Sequence, residues 1–171
     1  ATAHALVHSV NTVHHRLARE GTAERVADAA HAAGIPDAQP LADPKNKKPT
    51  AQIALGADGY QVHPLDQAVG YSAFAAKGTR ARAYFVQKVT DTDGNEIYSA
   101  KADTGKAFSE GVAADVTYAM HPVVQGGTGV RAQPDTGRPP GGKHGTTPYS
   151  KTAAFTGFTP QLSTSVMITM S

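Results

Sequence analysis

A glycine- and proline-rich segment, residues 125–142, constrains the fold more than any other feature of the sequence. Glycine loses the most backbone entropy on ordering and proline lacks an amide donor, so this segment is predicted to be a loop. Before it, apolar residues recur at three- and four-residue steps, which is typical of amphipathic helices. After it, residues 152–158 and 162–170 alternate in polarity and are joined at Thr159-Pro160-Gln161, which predicts an antiparallel hairpin. Helices first and an antiparallel sheet last predict the α+β class.

The helical periodicity falls in three stretches. Residues 1–33 are predicted to form two helices that break near Gly21, because Thr22 can cap a new helix. Residues 64–77 predict an amphipathic helix that begins with a proline, and residues 109–124 predict another.

Further strands are predicted between these helices and after the loop. Residues 83–89 are rich in strand-forming side chains and precede the turn signal Asp93-Gly94, so they predict a hairpin with residues 96–98. Residues 145–147 are a candidate third strand beside the final hairpin. Aromatic side chains at the apolar positions of these elements are predicted to lie in the core: Tyr71, Phe74, Phe85, Phe155 and Phe158.

Composition excludes several classes of protein. The chain has 171 residues, of which 40% are hydrophobic and 18% charged, so it can bury the core of one domain. The formal charge is only +2, and the basic residues are scattered apart from Lys45, Lys47 and Lys48, which argues against a nucleic-acid partner. The absence of cysteine excludes disulfides and thiolate metal sites. No window of about eighteen apolar residues and no basic leader are present, so neither a membrane span nor a signal peptide is predicted.

Two ligand hypotheses can be weighed on spacing. His4, His8 and His15 would share one face of a continuous helix, which allows a histidine metal site, but exposed histidines on a polar helix side explain them as well. We predict no metal and no other cofactor. The stretch Gly126-Gly127-Thr128-Gly129 follows a helix and lacks the later residues of a phosphate-binding loop, so nucleotide binding is not predicted.

Three short stretches far apart in the chain carry the candidate chemistry. They are Ser9-Val10-Asn11, Gly127-Thr128-Gly129 and Lys143-His144-Gly145-Thr146-Thr147. Alone, each is weak, since Ser9 and Asn11 are also favoured helix-capping residues. In this order, and with their neighbours, they resemble the transpeptidase domain of penicillin-binding proteins, most closely the class A, bifunctional type.

The resemblance covers nearly the whole chain. The first stretch resembles the family's Ser-x-Asn motif, the second its glycine turn before the active-site strand, and the third its Lys-Thr-Gly strand. Residues 62–78 are similar to its central helix and residues 154–160 to the hairpin after the strand. The fold this implies is the penicillin-binding/β-lactamase-like fold, incomplete at both ends.

The resemblance implies roles in acyl transfer at a serine. Ser9 would pass a proton to the departing nitrogen, and the Asn11 amide would hold the substrate's own amide. Lys143 would supply positive charge near the substrate carboxylate, which Thr146 would bind while its N–H serves the oxyanion hole. Gly145, Thr147 and His144 would complete the substrate-binding strand, although His144 replaces a hydroxyl residue of the family pattern with a bulky ring.

The nucleophile motif of the family, Ser-x-x-Lys, has no counterpart here, because no serine is followed by lysine three residues later. We therefore expect residues 1–171 to be the C-terminal portion of a single transpeptidase domain, with the missing N-terminal segment of that domain as a partner. The expected function is a D,D-transpeptidase that crosslinks peptidoglycan stem peptides ending in D-Ala-D-Ala and binds β-lactam antibiotics, outside the cytoplasm. The alternatives are a non-catalytic module of the same fold and a histidine metal-binding protein.

Overall fold

The computed structural model describes residues 2–56, 59–135 and 137–170. The α-helices of this part are α1 (Thr2–Val7), α2 (Asn11–Gly21), α3 (Ala23–Ala33), α4 (Pro64–Ala75) and α5 (Glu110–Gln125). The strands are β1 (Thr79–Ala81), β2 (Lys88–Thr90), β3 (Glu96–Ser99), β4 (Thr104–Lys106), β5 (Gly141–Thr146), β6 (Thr152–Thr159) and β7 (Leu162–Thr169). Short 3₁₀ turns lie at Ala51–Leu55, Val130–Ala132 and Pro148–Ser150. The predicted α+β class is confirmed.

The last three strands form one antiparallel sheet in the order β5-β6-β7. Lys143 pairs with Thr156, and Thr156 in turn pairs with Ser165. The hydroxyls of Thr156 and Ser165, 2.9 Å apart, form a hydrogen bond between β6 and β7, so the buried Thr156 hydroxyl has a partner. The hairpin predicted at Pro160 and Gln161 is confirmed. The third strand begins at Gly141, earlier than predicted, because two glycines can lie flat against the large side chains of β6.

Two helices cover one side of this sheet. α5 packs on β5 and on α1, and α4 packs on β6 and β7. The contact with α4 is aromatic: Tyr71 and Phe74 lie 6.3 and 6.4 Å from Phe158, measured between ring centroids, and Phe74 stacks on Phe108 at 5.3 Å. Val123 and Val124 of α5 are fully buried at the other contact. The prediction that Phe158 belongs to the core is confirmed, whereas Tyr71, Phe74 and Phe155, which were also predicted there, are only half-buried.

The first 33 residues contain three helices, so the prediction of two was wrong. The expected break is present at Thr22, whose hydroxyl accepts a hydrogen bond from Arg25 N. The additional break follows Val7, where Ser9 adopts a left-handed backbone with φ of 54° and Val10 N donates to Ala5 O at 2.9 Å. Apolar residues keep helical spacing across this reversal, so spacing alone did not reveal it.

The break also separates the histidines that were considered as metal ligands. His4 belongs to α1, His8 lies in the turn and His15 belongs to α2. The shared helical face on which the metal hypothesis depended therefore does not exist. Within the described residues, no group of three or more histidine and acidic side chains is arranged to hold a metal ion.

A smaller core lies under α3 and the loop that follows it. Ala27, Ile35, Leu41 and Tyr60 are buried together. The Tyr60 hydroxyl accepts a hydrogen bond from Thr50 N at 2.7 Å, which fixes the loop ahead of the 3₁₀ turn Ala51–Leu55. The loop thereby positions the 3₁₀ turn Ala51–Leu55, which packs against α2.

A narrow arm of strands projects between α4 and α5. The predicted hairpin is present as β2 and β3, with Asp91 accepting hydrogen bonds from Asp93 N and Asn95 N in the turn, but residues 83–87 are not part of a strand. β1 and β4 extend the arm at its base and were not predicted. Phe85 is 87% exposed, so its assignment to the core was wrong. A strand-rich composition indicated the hairpin, but all residues of β2 and β3 are exposed.

Within the described residues, none of the helices has both the length and the apolar character needed to cross a bilayer.

Candidate active site

The structure brings Ser9 and Lys143 into direct contact. The Lys143 ammonium donates a hydrogen bond to Ser9 Oγ at 2.9 Å and another to the carbonyl oxygen of His144, also at 2.9 Å. Ser9 comes from the turn between α1 and α2, and Lys143 from the middle of β5. Two of the stretches singled out in the sequence therefore meet at one point.

The backbone of Ser9 is strained at this point. Its φ of 54° lies in the left-handed region, which residues other than glycine and asparagine seldom adopt. The hydrogen bonds that close the turn, from Ser9 N to Leu6 O and from Val10 N to Ala5 O, hold it there. Strain of this kind clusters at functional sites, where surrounding contacts maintain it. The strained turn gives Ser9 the orientation that Lys143 binds.

The Lys143 side chain is half-buried, and burial lowers its pKa. Its two partners are neutral oxygens, and no carboxylate among the described residues forms an ion pair with it. An ammonium group held in this way keeps its positive charge available to an anion that enters the site.

The ring of His144 joins β5 to the glycine turn and to α1. His144 Nε2 lies 2.6 Å from Thr128 Oγ1, and that hydroxyl donates to Val7 O at 3.1 Å. Because the hydroxyl proton is used on Val7, the ring nitrogen must be the donor in the first of these bonds. Burial, and secondly the charge of Lys143, lowers the pKa of His144, which favours the neutral ring. His144 thus bonds to the protein's own Thr128.

Glycine is required where the turn meets α1. A Cβ added at Gly127 would lie 2.8 Å from Val7 Cγ1 and 3.0 Å from Pro122 O. Both distances are shorter than ordinary carbon contacts, so a side chain here would push the end of α5 away from α1. Gly127 thereby allows Thr128 to reach Val7.

The remaining predicted site residues lie near these contacts but make none with them in the described structure. Asn11 is exposed at the start of α2, and Gly145 and Thr146 are exposed at the end of β5. The Thr147 hydroxyl accepts a hydrogen bond from Thr152 N at 2.8 Å and closes the connection to β6. Their roles toward a substrate stay predictions.

Sequence reasoning missed the part played by Thr128. The stretch around it was singled out for its glycines, and the hydroxyl between them received no role. No local signal identifies its partners, because Val7 and His144 lie far from it in the chain.

A family profile described as "Penicillin binding protein transpeptidase domain" matches residues 2–171. Penicillin-binding protein 1A of Mycobacterium tuberculosis is 36% identical over 97% of this chain, which corresponds to 22% of that protein. Penicillin-binding protein 1F of Bacillus subtilis is 32% identical over 67% of the chain and 16% of its own length. The chain thus spans about a fifth of the length of the curated relatives it matches.

Solved structures agree with these matches. The PonA1 protein from Mycobacterium tuberculosis, in complex with penicillin V, superposes with a TM-score of 0.85 at 36% identity and covers 98% of this chain and 47% of its own. Penicillin-binding protein 1A from Haemophilus influenzae, at 21% identity, shares the fold with a TM-score of 0.83 over 96% of this chain and 29% of its own. The order of the three stretches, the contact between Ser9 and Lys143 and these matches lead to one conclusion: the chain belongs to the transpeptidase domain family of penicillin-binding proteins.

Proposed function

We propose that this chain supplies the proton-transfer and carboxylate-binding part of a D,D-transpeptidase site, in an enzyme that crosslinks peptidoglycan stem peptides ending in D-Ala-D-Ala and is acylated by β-lactams. The observation that carries the proposal is the hydrogen bond from Lys143 Nζ to Ser9 Oγ. In this proposal, residues 1–171 are the C-terminal portion of one transpeptidase domain. The nucleophilic serine belongs to a Ser-x-x-Lys motif elsewhere in the protein, which acts outside the cytoplasm.

The chemistry required of Ser9 is the delivery of a proton. When a serine oxygen attacks the substrate carbonyl, a C–O bond forms, the C–N bond breaks, and the serine proton must reach the departing nitrogen. Ser9 Oγ accepts a hydrogen bond from Lys143, so its own O–H is free to be donated to that nitrogen. Asn11, two residues further on, holds the substrate amide in the proposed site.

Lys143 and the exposed end of β5 would hold the substrate's terminal carboxylate. An ammonium without a carboxylate partner attracts an anion, and the hydroxyl of Thr146 can donate to it. The backbone N–H of Thr146 would contribute to the oxyanion hole. His144, bonded to Thr128, would act on the substrate only through the position of β5.

The proposal predicts that Lys143→Ala slows acylation of the intact protein by fluorescent penicillin. Removal of a hydrogen bond from a charged group costs about 1.5–3 kcal/mol, which corresponds to a rate loss of roughly 10- to 100-fold. Lys77→Ala is the matched control, because Lys77 is an exposed lysine that pairs with Glu110 on the surface. The second-order rate of covalent labelling is the measurement.

Two results would contradict the proposal. A wild-type protein that stays unlabelled at saturating penicillin would favour the alternative, a non-catalytic module of the same fold. Equal labelling rates for wild type and Lys143→Ala would show that the contact with Ser9 has no part in acyl transfer.

A further inference from the structure

Two links join β5 to the turn that carries Ser9. The first is the hydrogen bond from Lys143 Nζ to Ser9 Oγ, on which the proposed function rests. The second runs from His144 Nε2 to Thr128 Oγ1 at 2.6 Å and from that hydroxyl to Val7 O at 3.1 Å. His144 follows Lys143 directly and Val7 precedes Ser9 by two positions, so both links join the same two segments. The proposed function gives a task to the first link alone.

The two links differ in stiffness. Lysine has a flexible four-carbon side chain, so the bond of Lys143 with Ser9 does not by itself fix the separation of the two backbones. The second link contains a planar ring and ends on a backbone carbonyl, Val7 O, to which Thr128 N also donates at 3.4 Å. It consists entirely of described residues, so it needs no group from another segment of the protein. The second link therefore sets the spacing that the Lys143 side chain spans.

Thr128 stands on a rigid base. The glycine turn is bound to the end of α5 by Gly127 N, which donates to Pro122 O at 2.9 Å, and by Gly129 N, which donates to Val123 O at 2.9 Å. Val123 is fully buried. Functional groups are positioned accurately when the residues that support them are themselves fixed by packing and hydrogen bonds. Thr128 is therefore a suitable anchor for both segments.

The turn that this anchor holds needs support. Ser9 has a φ of 54°, and a left-handed residue other than glycine persists only where its surroundings maintain it. Val7 is the last residue of α1, and the carbonyls at a helix end lack a partner within the helix. The Thr128 hydroxyl binds the carbonyl of Val7. Without that hydroxyl, we expect the strained turn to relax and to carry Ser9 Oγ away from the Lys143 ammonium.

We propose that Thr128 is a positioning residue for the proposed acyl transfer: by binding Val7 O and the His144 ring, it holds Ser9 Oγ against Lys143 Nζ in the orientation from which Ser9 donates its proton. The inference rests on the proposed function for the reaction itself. In this arrangement Thr128 does not touch the substrate. Loss of its hydroxyl should therefore slow acylation at saturating penicillin and leave the affinity for penicillin unchanged.

Saturation kinetics of penicillin acylation on the intact protein test this inference, because they separate the dissociation constant from the rate constant of acylation. Thr128→Val, which keeps the shape and removes the hydroxyl, should lower the rate constant roughly 3- to 10-fold, the equivalent of one neutral hydrogen bond. Thr128→Ser, which keeps the hydroxyl, should restore most of the rate. The matched control is Thr22→Val, because the Thr22 hydroxyl accepts a hydrogen bond from Arg25 N at the start of α3. It should lower the melting temperature and leave both constants unchanged.

A double variant tests whether Thr128 acts through His144. His144→Phe keeps a planar ring and removes the nitrogen that donates to Thr128. If the two residues form one link, the double variant Thr128→Val with His144→Phe should lose no more rate than the more impaired single variant. Losses that multiply in the double variant would show two independent effects and would contradict the link.

Equal rate constants of acylation in wild type and Thr128→Val, or a loss that Thr128→Ser does not restore, would overturn the inference while penicillin labelling of wild type upholds the proposed function. Hydrogen-deuterium exchange of the Ser9 and Val10 amides in the intact protein decides the inference independently of labelling. Faster exchange in Thr128→Val and not in Thr22→Val would support Thr128 as the residue that holds the turn, even if wild type stays unlabelled and the transpeptidase proposal is lost. Unchanged exchange in Thr128→Val would overturn it.

Discussion

At the scale of single residues, the site depends on side chains that bind the protein's own backbone. Lys143 donates to the carbonyl of His144, and Thr128 donates to the carbonyl of Val7. Each of these bonds fixes a group that also contacts a second side chain, Ser9 in one case and His144 in the other. The four contacts hold β5, the glycine turn and the end of α1 in one arrangement, which a single lost hydrogen bond would loosen.

The lowered pKa of His144 predicts a pH dependence of stability. Its ring titrates below the ordinary value of 6.5 in the folded state, so between that value and the folded pKa the unfolded chain binds more protons. The contribution of His144 to the free energy of unfolding is therefore complete above pH 6.5 and is lost as the pH falls toward the folded pKa.

This dependence can be measured as the urea midpoint of the intact protein from pH 8 to pH 5. His144→Asn should flatten part of the decline on acidification, whereas His8→Asn, which removes an exposed histidine, should not. An unaltered slope in His144→Asn would contradict the assignment of a half-buried, neutral ring bound to Thr128.

At the scale of elements, β5 contains one glycine that has no room for a side chain and another that has ample room for one. Gly142 faces the large side chains of β6, and a Cβ there would lie 2.7 Å from Phe155 Cζ and 2.9 Å from Thr156 O. Gly145, three residues later, has nothing within 4 Å of the same position. The first glycine allows the strands to approach each other, and the second lies at a strand end with open space beside it.

Gly142→Ala should therefore destabilise the sheet, and Gly145→Ala should not. Overpacking of this kind costs roughly 1–3 kcal/mol, because the Thr156 carbonyl is backbone and cannot move aside. Hydrogen-deuterium exchange of the β5 and β6 amides in the intact protein is the measurement, with faster exchange expected only for Gly142→Ala. Equal protection in the two variants would mean that β6 can shift to accommodate a methyl group.

Sequence periodicity predicted the elements that bury one face and missed those that do not. α4, α5 and the final hairpin have an apolar side that packs on a partner, and their bounds agree with prediction to within about two residues. β1 and β4 are short and mostly exposed, so they leave no periodic signal. The site was accessible to sequence reasoning only through its motifs, since the contacts of Thr128 are set by tertiary packing.

At the scale of the whole molecule, α5 is the element on which the other parts converge. It packs on α1, α4 and β5, and it ends in the glycine turn that carries Thr128. Val123 and Val124 are fully buried at this junction, whereas Val112 near the start of the same helix is 48% exposed. α5 thus contacts both elements that lead to the candidate site: β5, which carries Lys143, and α1, which ends at the turn that carries Ser9.

Val124→Ala should lower the stability of this junction more than Val112→Ala does. Removal of two buried methyl groups costs roughly 1–3 kcal/mol, because the surroundings collapse only partly into the space. The melting temperature of the intact protein should fall by several degrees in Val124→Ala and stay nearly constant in the control. Similar melting temperatures for the two variants would show that the junction repacks freely.

The hydrogen bond between Lys143 and Ser9 joins residues that are 134 positions apart in the chain. Closing so long a loop carries an entropic cost that only the assembled helices and sheet can offset, and contacts of high sequence separation slow folding. The reactive arrangement therefore cannot precede the docking of β5 beside the turn after α1. Under the proposed function, covalent capture of penicillin by the refolding intact protein should therefore mark the last kinetic phase, later than the recovery of helical circular dichroism.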